Sequence, residues 1–583
     1  MASPSLLRLA FLAGCFVSLT HAILPDGRPH ANFRPPPAIP RAPIPSAPVV
    51  SRNGDELPPY NTTYIFDQLI DHKNPELGTF KQRFWHTWEF YKPGGPIIFM
   101  TPGESNAQGY VGYLTNTTIN GILAQQENGA TIILEHRFFG LSNPKPDLSD
   151  ESLKLHTIEQ AIEDIDYFAR NVKLPMPGGD QVQPGKAPWI MIGGSYPGAL
   201  TAYTMVAKPD LFYAGHSSSG VVETILDYWK YFEPIRNHMP RNCSADIQAV
   251  IAHVDEVFGG DNTTAIDELK ANFGMSGVKH VKDVAGACGS PSLLTISDNT
   301  QYFISNLVRN NLWDWQALQI TSGPNTAFRR FCDALEVKDG ESAPESGWGL
   351  EHALKAWGDY WKNGYLWGIC GGWDVDACLT THDPKSSWWT DTRIDNSWRS
   401  WWWIVCNEVG YFQNGAPTGE PTVVSRIFGI EDDLRQCAFA FPQRFPEIPS
   451  TVDVEKINTA YGGWDVQIDR IFFANGARDP WLDATMSATG LDIPSTENQQ
   501  IGLMASGFHC SDLSARSAID PSVAEVQQQA LAAFKKWLST WEPSEAEEFV
   551  APSITPTVDN RVVPERVTEG KPQNGWFRSF GSF

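Results

Sequence analysis

Short apolar segments bounded by glycine or proline recur in two parts of the chain, and they constrain the fold more than any other feature. In the first part they read PIIFMT (96–101), ATIILE (130–135) and PWIMI (188–192). Each has the length and composition of a buried strand. The segment HTIEQAIEDIDYFARNV (156–172) precedes the third, with a capping box at 157–160 and apolar residues at helical spacing. This alternation predicts a parallel sheet covered by helices.

The second part repeats the pattern late in the sequence. RIFFANG (470–476) and QIGLM (500–504) are strand candidates, and a helix is predicted from Ser522, with Glu525 completing its capping box. The predicted buried face of that helix consists of Val526, Ala530, Ala533 and Trp537. We therefore expect one α/β domain built from two separated parts of the chain.

The residues between these two parts, from about 226 to 455, have a different character. They are helical and loop-like, and they hold most of the tryptophans and most of the cysteines. An even number of cysteines in an exported chain favours disulfides, whose pairing the sequence alone does not assign. We expect a largely helical, disulfide-braced domain inserted into the α/β domain.

The N-terminal residues indicate export. Arg8, an apolar run of about 14 residues and the small residues ending at Ala22 have the layout of a secretory signal peptide. The predicted divisions are a signal peptide (1–22), a proline-rich linker or propeptide (23–60), the first half of the α/β domain (61–225), the inserted helical cap domain (226–455), the second half of the α/β domain (456–545) and a C-terminal tail (546–583).

Charge and motifs exclude several classes of partner. The formal net charge of −23 disfavours nucleic acid and anionic membranes. The sequence has no C-x-x-C or H-E-x-x-H motif, so we expect no metal and no cofactor. Glycosylation sequons typical of an exported protein occur at Asn61, Asn116, Asn242 and Asn262. We expect secretion, with a vacuolar or lysosomal destination as the alternative.

The stretch WIMIGGSYPGALTAY (189–203) carries the first chemical signal. If a strand ends at Ile192 and a helix begins near Tyr196, Ser195 lies on a sharp turn that presents its hydroxyl at a helix N-terminus. The usual pattern G-x-S-x-G fails, because Pro197 stands at the position of the second glycine. Proline suits the first turn of a helix, so the arrangement remains feasible. Alone, such a stretch is more often an ordinary turn.

A serine nucleophile needs a histidine base and an acid that orients the histidine. In α/β-hydrolases both follow late strands, in the order Ser, Asp, His. Asp479 follows RIFFA and His509 follows QIGLM, while Asp483 and Asp512 are nearby alternatives for the acid. His136 also follows a strand, but it precedes the serine. The triad favoured by order and loop position is Ser195, Asp479 and His509.

An oxyanion hole requires backbone N–H donors. The turn at the serine would supply the N–H of Tyr196. The loop TPGES (101–105) follows an early strand, so Gly103 or Glu104 is the candidate for the second donor, with an ordinary Pro-Gly turn as the alternative.

The motifs GGSYPG (193–198), NGARDPW (475–481) and GFHCSD (507–512) resemble those of a serine peptidase family. That family includes lysosomal Pro-X carboxypeptidase, dipeptidyl peptidase II, thymus-specific serine protease and secreted fungal prolyl peptidases. The resemblance covers roughly residues 60 to 545. Further similar stretches are FDQLIDHKNPELGTFKQRFW (66–85), GGPIIFMTPGES (94–105), EHRFFGLSNP (135–144), TIEQAIEDIDYF (157–168) and WIVCNEVGYFQ (403–413).

The resemblance implies an α/β-hydrolase domain interrupted by a helical, disulfide-bonded cap, with the triad named above. It also implies cleavage of peptides next to proline, by release of a C-terminal residue, release of N-terminal dipeptides or internal cutting. Trp481 matches a tryptophan that lines the family's proline pocket. The implied partners are proline-containing peptide or protein substrates, and a homodimer is compatible with the family. Phe138 and Phe139 replace the family's usual tyrosines, which leaves the fine specificity open.

A dense group of tryptophans supports a competing interpretation. Six occur between residues 388 and 403, and indole rings can stack on sugars. An esterase or glycan-binding protein on the same scaffold is therefore the alternative function. Such a group is more often core or cleft wall.

Overall fold

A nine-stranded mixed sheet forms the centre of the part of the chain that the computed structural model describes. The described residues are 36–278, 305–370, 374–379, 381–491, 495, 500–543 and 557–558. The strands, in chain order, are β1 (Tyr64–Leu69), β2 (Thr79–Thr87), β3 (Ile97–Met100), β4 (Ala130–Leu134), β5 (Trp189–Gly194), β6 (Ala214–Ser218), β7 (Ile471–Gly476), β8 (Gln500–Ala505) and β9 (Thr557–Val558).

The strand order is β8-β7-β6-β5-β3-β4-β2-β1-β9. The strands from β4 to β8 are parallel, which confirms the predicted parallel sheet. The β2, β1 and β9 strands extend it in antiparallel pairings that the sequence pattern did not predict. In β2 six consecutive residues are buried, so its apolar and polar positions do not alternate as in a one-sided strand. The chain has an α/β-hydrolase fold.

Four long helices cover the two faces of this sheet. They are α1 (Ile119–Glu127), α2 (Ile158–Asn171), α3 (Tyr196–Ala207) and α4 (Pro521–Leu538). The α2 and α3 helices pack on one face with Ile97 and Phe99, whereas α1 and α4 pack on the other with Ile98 and Met100. Successive residues of β3 thus point into opposite cores, as the two-residue period of a strand requires.

The observed N-terminal caps of α2 and α4 differ in detail from the caps that the sequence predicted. Thr157 does cap α2, since its side chain accepts from the N–H of Gln160, but the Gln160 side chain bonds Asp71 instead of returning to Thr157. The α4 helix is capped by Asp520, so the predicted cap at Ser522 with Glu525 is wrong. Asp520 is favoured because its carboxylate reaches two N–H groups and Pro521 fits the first helical position.

Residues 226–455 are mainly helical where they are described. Their helices are Glu233–His238, Arg241–Phe258, Thr263–Asn272, Ser305–Trp313, Ala327–Glu336, Leu350–Tyr360, Leu366–Cys370, Val375–Leu379, Ser387–Thr390, Ser397–Ile404 and Ile430–Ala440. Two further helices, Asp150–Leu153 and Glu455–Tyr461, lie in the α/β part. Short strand pairs join Ile225–Asp227 to Gly410–Phe412 and Val337–Lys338 to Glu341–Ser342.

Three disulfides brace this helical region: Cys243–Cys332, Cys370–Cys378 and Cys406–Cys437. Cys510 is a buried free thiol in the α/β part, and Cys288 lies outside the described residues. The even number of cysteines in a chain expected to be exported therefore predicted disulfides, and the structure shows which cysteines pair.

The tryptophan group between 388 and 403 is core. Trp389, Trp398, Trp401, Trp402 and Trp403 are buried and contact one another or neighbouring aromatic rings, and Trp388 is half-buried against the same core. Rings that stack on sugars must be accessible, so this arrangement supports the core interpretation rather than a glycan-binding surface.

The described part of the proline-rich segment packs against the α/β domain. Residues 36–60 have no helix or strand of their own, and Ile39, Val49, Leu57 and Tyr60 are buried. The predicted signal peptide lies outside the described residues. Among the residues that are described, no helix is both long and apolar enough to cross a membrane.

We predict that Arg399→Met destabilises the fold. The buried Arg399 guanidinium donates to the carbonyls of Leu148 and Trp389 and pairs with Asp150, which joins the helical region to the α/β domain. Removing it leaves a buried carboxylate without its cation, at a cost of about 3 kcal/mol or more. Thermal unfolding should show a midpoint several degrees lower. Arg393→Met is the control, because Arg393 pairs with Asp391 in an exposed position and its loss should change the midpoint little. Equal midpoints for the two variants would contradict the prediction.

Candidate active site

Ser195 lies between β5 and α3 in a strained backbone conformation. Its φ and ψ are 64° and −129°, outside the regions that non-glycine residues ordinarily adopt. Its N–H donates to the carbonyl of Ser218 at 2.9 Å, and α3 begins at the next residue. Pro197 is in the first helical turn, as the sequence predicted. The sharp strand-to-helix turn expected for a nucleophile is therefore present.

The turn is possible because glycines surround it. A Cβ on Gly193 would lie 2.0 Å from the carbonyl oxygen of Pro197, and one on Gly198 would lie 2.8 Å from the Cα of Gly220. Any side chain at either position would push α3 away from β5 or β6. The small residues thus permit the close packing of helix on sheet that holds Ser195 in place.

Asp479 and His509 meet at the same edge of the sheet. Nδ1 of His509 lies 2.9 and 3.0 Å from the two carboxylate oxygens of Asp479, and both side chains are almost fully buried. The carboxylate also accepts from the N–H of Trp481 at 2.9 Å. Asp479 follows β7 and His509 follows β8, and these two neighbouring parallel strands have their carboxyl ends side by side.

The carboxylate changes the acid–base properties of the histidine. Burial alone would lower the pKa of His509, but the adjoining Asp479 and Cys510 outweigh burial and hold that pKa well above its ordinary value. A stabilised imidazolium is what a base needs after it has taken a proton from a hydroxyl.

The alternative acids and base have other partners. Asp512 accepts from Ser218 at 2.6 Å and pairs with His216 at 2.7 Å. Asp483 accepts from the N–H of Thr489. His136 contacts the Tyr196 hydroxyl at 3.1 Å through Nε2 and the Arg137 carbonyl through Nδ1. Among the aspartates considered, Asp479 is the one the structure brings to His509.

Two buried polar atoms of the candidate triad have no hydrogen-bond partner in the described residues, Ser195 Oγ and His509 Nε2. Nε2 is the nitrogen that remains once Nδ1 is bound to Asp479, and it is the atom a general base would use. Hydroxyl–imidazole bonds of this kind commonly shorten only when substrate binds.

The TPGES loop packs directly on the turn that carries Ser195. Gly103 has a φ of 78°, and a Cβ there would lie 2.4 Å from Cγ of Pro197. This contact holds the loop that contains Gly103 and Glu104 against the start of α3, next to the N–H of Tyr196. The three residues proposed for the oxyanion hole are thus neighbours.

The side chain of Glu104 adds an acid to the site that no sequence pattern indicated. It is fully buried, and neither carboxylate oxygen makes a hydrogen bond of ordinary geometry within the described residues. Burial raises the pKa of Glu104 to about 8, although its own N–H, His509 and the N–H of Tyr196 oppose the shift. The Tyr196 N–H, one of the groups expected to bind an oxyanion, is thus among the groups that influence the pKa of the Glu104 carboxyl group.

Trp481 lies in a cluster of aromatic rings. Tyr228 stacks on it with ring centroids 5.5 Å apart, and Tyr231 and Tyr411 meet it edge to face. Its indole N–H donates to Oε1 of Gln316 at 2.9 Å. The sequence motif indicated the tryptophan, but no pattern indicated Gln316 or the tyrosines, which come from the region between the two α/β parts.

A cavity of about 710 Å³ lies near the candidate site, although none of Ser195, Asp479, His509 and Trp481 lines it. Arg478 and Phe508, the chain neighbours of Asp479 and His509, line it together with Trp315 and Phe328. Its wall also carries His238, Arg241, Arg329, Asp333 and Glu345. The cavity gives the buried site an adjoining space lined by both aromatic and charged groups.

Two relatives of this chain by sequence are named as a serine protease and a serine carboxypeptidase. A family model described as serine carboxypeptidase S28 matches residues 68–288 and 328–531. The serine protease vicPb of Bipolaris victoriae is 32% identical over 492 residues, covering 81% of this chain and 88% of that protein. A probable extracellular serine carboxypeptidase of Arthroderma benhamiae is 34% identical over 421 residues, covering 70% and 56%. A solved peroxisomal alpha-beta-hydrolase of Saccharomyces cerevisiae has a TM-score of 0.30 at 9% identity, covering 81% and 85%.

We predict that Glu104→Gln makes stability less dependent on pH. The pKa of Glu104 is about 8 in the folded chain and near its ordinary value of 4.5 when unfolded. The carboxyl group therefore supports folding fully below pH 4.5, and this contribution is lost as the pH rises towards 8. Between pH 4.5 and pH 8 the free energy of unfolding of the native chain should therefore fall, relative to that of the variant, by on the order of a few kcal/mol.

The measurement is the thermal unfolding midpoint of both proteins from pH 4 to pH 8. Glu76→Gln is the matched control, because Glu76 is exposed. Parallel curves for the native chain and the Glu104 variant would show that the buried acid does not titrate in this way.

Proposed function

The chain belongs to the serine carboxypeptidase S28 family, and we propose that it hydrolyses peptide bonds next to proline through an acyl-enzyme formed on Ser195. The observation that carries this proposal is the pairing of Asp479 with Nδ1 of His509 beside the strained turn at Ser195. This arrangement leaves Nε2 as the base.

In the proposed cycle, Nε2 of His509 takes the proton of the Ser195 hydroxyl while Oγ attacks the peptide carbonyl. The N–H groups of Tyr196 and of Gly103 or Glu104 hold the oxyanion that forms. The imidazolium then gives its proton to the leaving amine. Water attacks the ester by the same route, which releases the acid and restores the serine.

The aromatic cluster supports specificity for proline. Trp481 and the tyrosines around it form an apolar cluster that is buried in this structure, so we propose that these rings receive proline only when the groups covering them move. A proline ring has no N–H to satisfy, so it can be buried against such rings without leaving a polar group unpaired. A longer polar side chain would lose its hydrogen bonds to water there.

We propose that the protein is secreted and glycosylated. The signal-peptide pattern supports export, and one relative is named as extracellular. The alternatives of a vacuolar or lysosomal destination and of a homodimer do not affect the proposed chemistry.

The proposed mechanism predicts that Asp479→Asn lowers kcat about 10³- to 10⁴-fold, because the histidine loses the group that fixes its tautomer and stabilises its charge. Ser195→Ala should abolish both peptide cleavage and labelling by a fluorophosphonate. Asp483→Asn is the matched control, since Asp483 lies in the same loop and contacts Thr489 instead. Its kcat should stay close to that of the native chain.

The substrate for this test is a peptide with one internal proline, with a twin in which alanine replaces proline. The proline peptide should be cleaved about ten-fold faster or more. Mass spectrometry of the products, with each terminus free or blocked, identifies carboxypeptidase, dipeptidyl-peptidase or internal cleavage. Hydrolysis of aryl esters but of neither peptide would overturn the peptidase proposal in favour of an esterase.

Glycan occupancy should follow the exposure of the sequons. Asn61, Asn116 and Asn262 are exposed, whereas Asn242 is half-buried and its side-chain nitrogen donates to the carbonyl of Ala343. We expect glycans on the three exposed asparagines and little on Asn242. Enzymatic deglycosylation in ¹⁸O water followed by peptide mass spectrometry measures this. Full occupancy at Asn242 would contradict it.

A further inference from the structure

The proline-rich segment that precedes the α/β domain reaches the candidate active site. In this segment, defined here as residues 36–43, Pro36, Pro37 and Ile39 are buried although the segment belongs to no helix or strand. A Cβ on Gly194 would lie 2.9 Å from Cγ2 of Ile39, so the segment packs on the residue that precedes Ser195. The Ser195 side chain itself has no exposure.

Three side chains bind carbonyl groups of this segment. Nε2 of Gln316 donates to the Pro36 carbonyl at 3.1 Å, and the Tyr113 hydroxyl donates to the Pro40 carbonyl at 2.6 Å. The Thr117 hydroxyl lies 3.2 Å from the Pro43 carbonyl. Gln316, Tyr113 and Thr117 are called the carbonyl track below.

The chemistry of this track suits proline. A proline residue has no N–H, so the carbonyls of a proline-rich chain are the main backbone groups that a protein can bind. Within the segment the Ala38 N–H donates to the Pro36 carbonyl at 2.8 Å, and Gln316 binds the same carbonyl oxygen. All three bonds of the track are donations to proline carbonyls. Gly112 allows the approach, since a Cβ there would lie 2.3 Å from the carbonyl oxygen of Ala42.

The environment of Gln316 fixes the direction of its amide. Its Oε1 accepts from the Tyr231 hydroxyl and from the Trp481 indole, each at 2.9 Å. With the oxygen occupied by two donors, the NH₂ group is left to donate towards the segment. The bond to Pro36 therefore connects the segment directly to the aromatic cluster proposed to receive proline.

We propose that Gln316, Tyr113 and Thr117 form a binding track for an extended proline-rich peptide, and that residues 36–43 occupy this track and block the active site until they are displaced or removed. This inference rests on the proposed function, because it names the class of peptide that the same site binds. The segment acts as an intramolecular competitor of substrate.

The first test uses the full secreted chain and two isoleucines, Ile39 within the segment and Ile44 directly after it. Ile39→Asp places a charge at a position that is 3% exposed, whereas Ile44→Asp places the same charge at a position that is 52% exposed. Ile39→Asp should raise the rate of Ser195 labelling by a fluorophosphonate about ten-fold or more, as expected if the open form is a minor population. Ile44→Asp should react at the native rate.

The second test does not depend on how Ile39→Asp folds. A site-specific protease sequence inserted between Ser46 and Ala47, both exposed, allows the segment to be cut and washed away. In the Ser195→Ala background, a synthetic peptide of residues 36–46 should bind the cut chain saturably in calorimetry. Tyr113→Phe should weaken this binding about five- to ten-fold, the loss of one hydrogen bond. Tyr213→Phe is the control, because its hydroxyl binds the Trp537 carbonyl instead.

The outcomes separate the two proposals. Equal labelling of the native, cut and Ile39→Asp chains, or no binding of the synthetic peptide, would overturn the inference and leave the peptidase proposal intact. Saturable binding by a cut chain whose active Ser195 form neither labels nor cleaves peptides would support the track and overturn the peptidase proposal.

Discussion

The rest of the site depends on one constraint, the close packing of α3 on the sheet at the turn that carries Ser195. Ser195 keeps a backbone conformation unfavourable for a side-chain-bearing residue, and Gly193 and Gly198 have no space for a Cβ. Because β5 is held between β3 and β6, the turn cannot relax without disturbing the central sheet. The strain is thus sustained by the whole sheet, and it keeps the hydroxyl at the edge where the loops after β7 and β8 arrive.

Burial has different consequences for the two titratable groups beside the serine. His509 is paired with a carboxylate, so its charged form is stabilised despite the burial. Glu104 has no bonded cation, and its neutral form is favoured up to about pH 8. Below about pH 8 the site therefore contains an uncharged acid at Glu104, while Asp479 stabilises the charge that His509 gains when it takes a proton. A carboxylate at that position would otherwise compete with a developing oxyanion for the N–H of Tyr196.

The aromatic cluster and the carbonyl track are both proposed to bind proline, one in a substrate and the other in the chain's own N-terminal segment. The rings around Trp481 are proposed to receive proline, and Gln316 accepts from the Trp481 indole while its NH₂ group donates to the Pro36 carbonyl. A chain that binds prolines through carbonyls can bind its own proline-rich segment as well as a substrate. The same physical preference thus underlies the proposed specificity and the proposed self-inhibition.

The sequence by itself determined the parallel strands, the start of α3 and the three candidate residues, because apolar periodicity and chain order are local signals. It misplaced the cap of α4 and did not reveal the antiparallel strands, since Asp520 competes locally with Ser522 and β2 is buried on both faces. Only the tertiary structure decided that Asp479 faces His509, that Glu104 is buried and that Pro36 binds Gln316. These are contacts between residues distant in sequence, and they depend on which loops the sheet brings together.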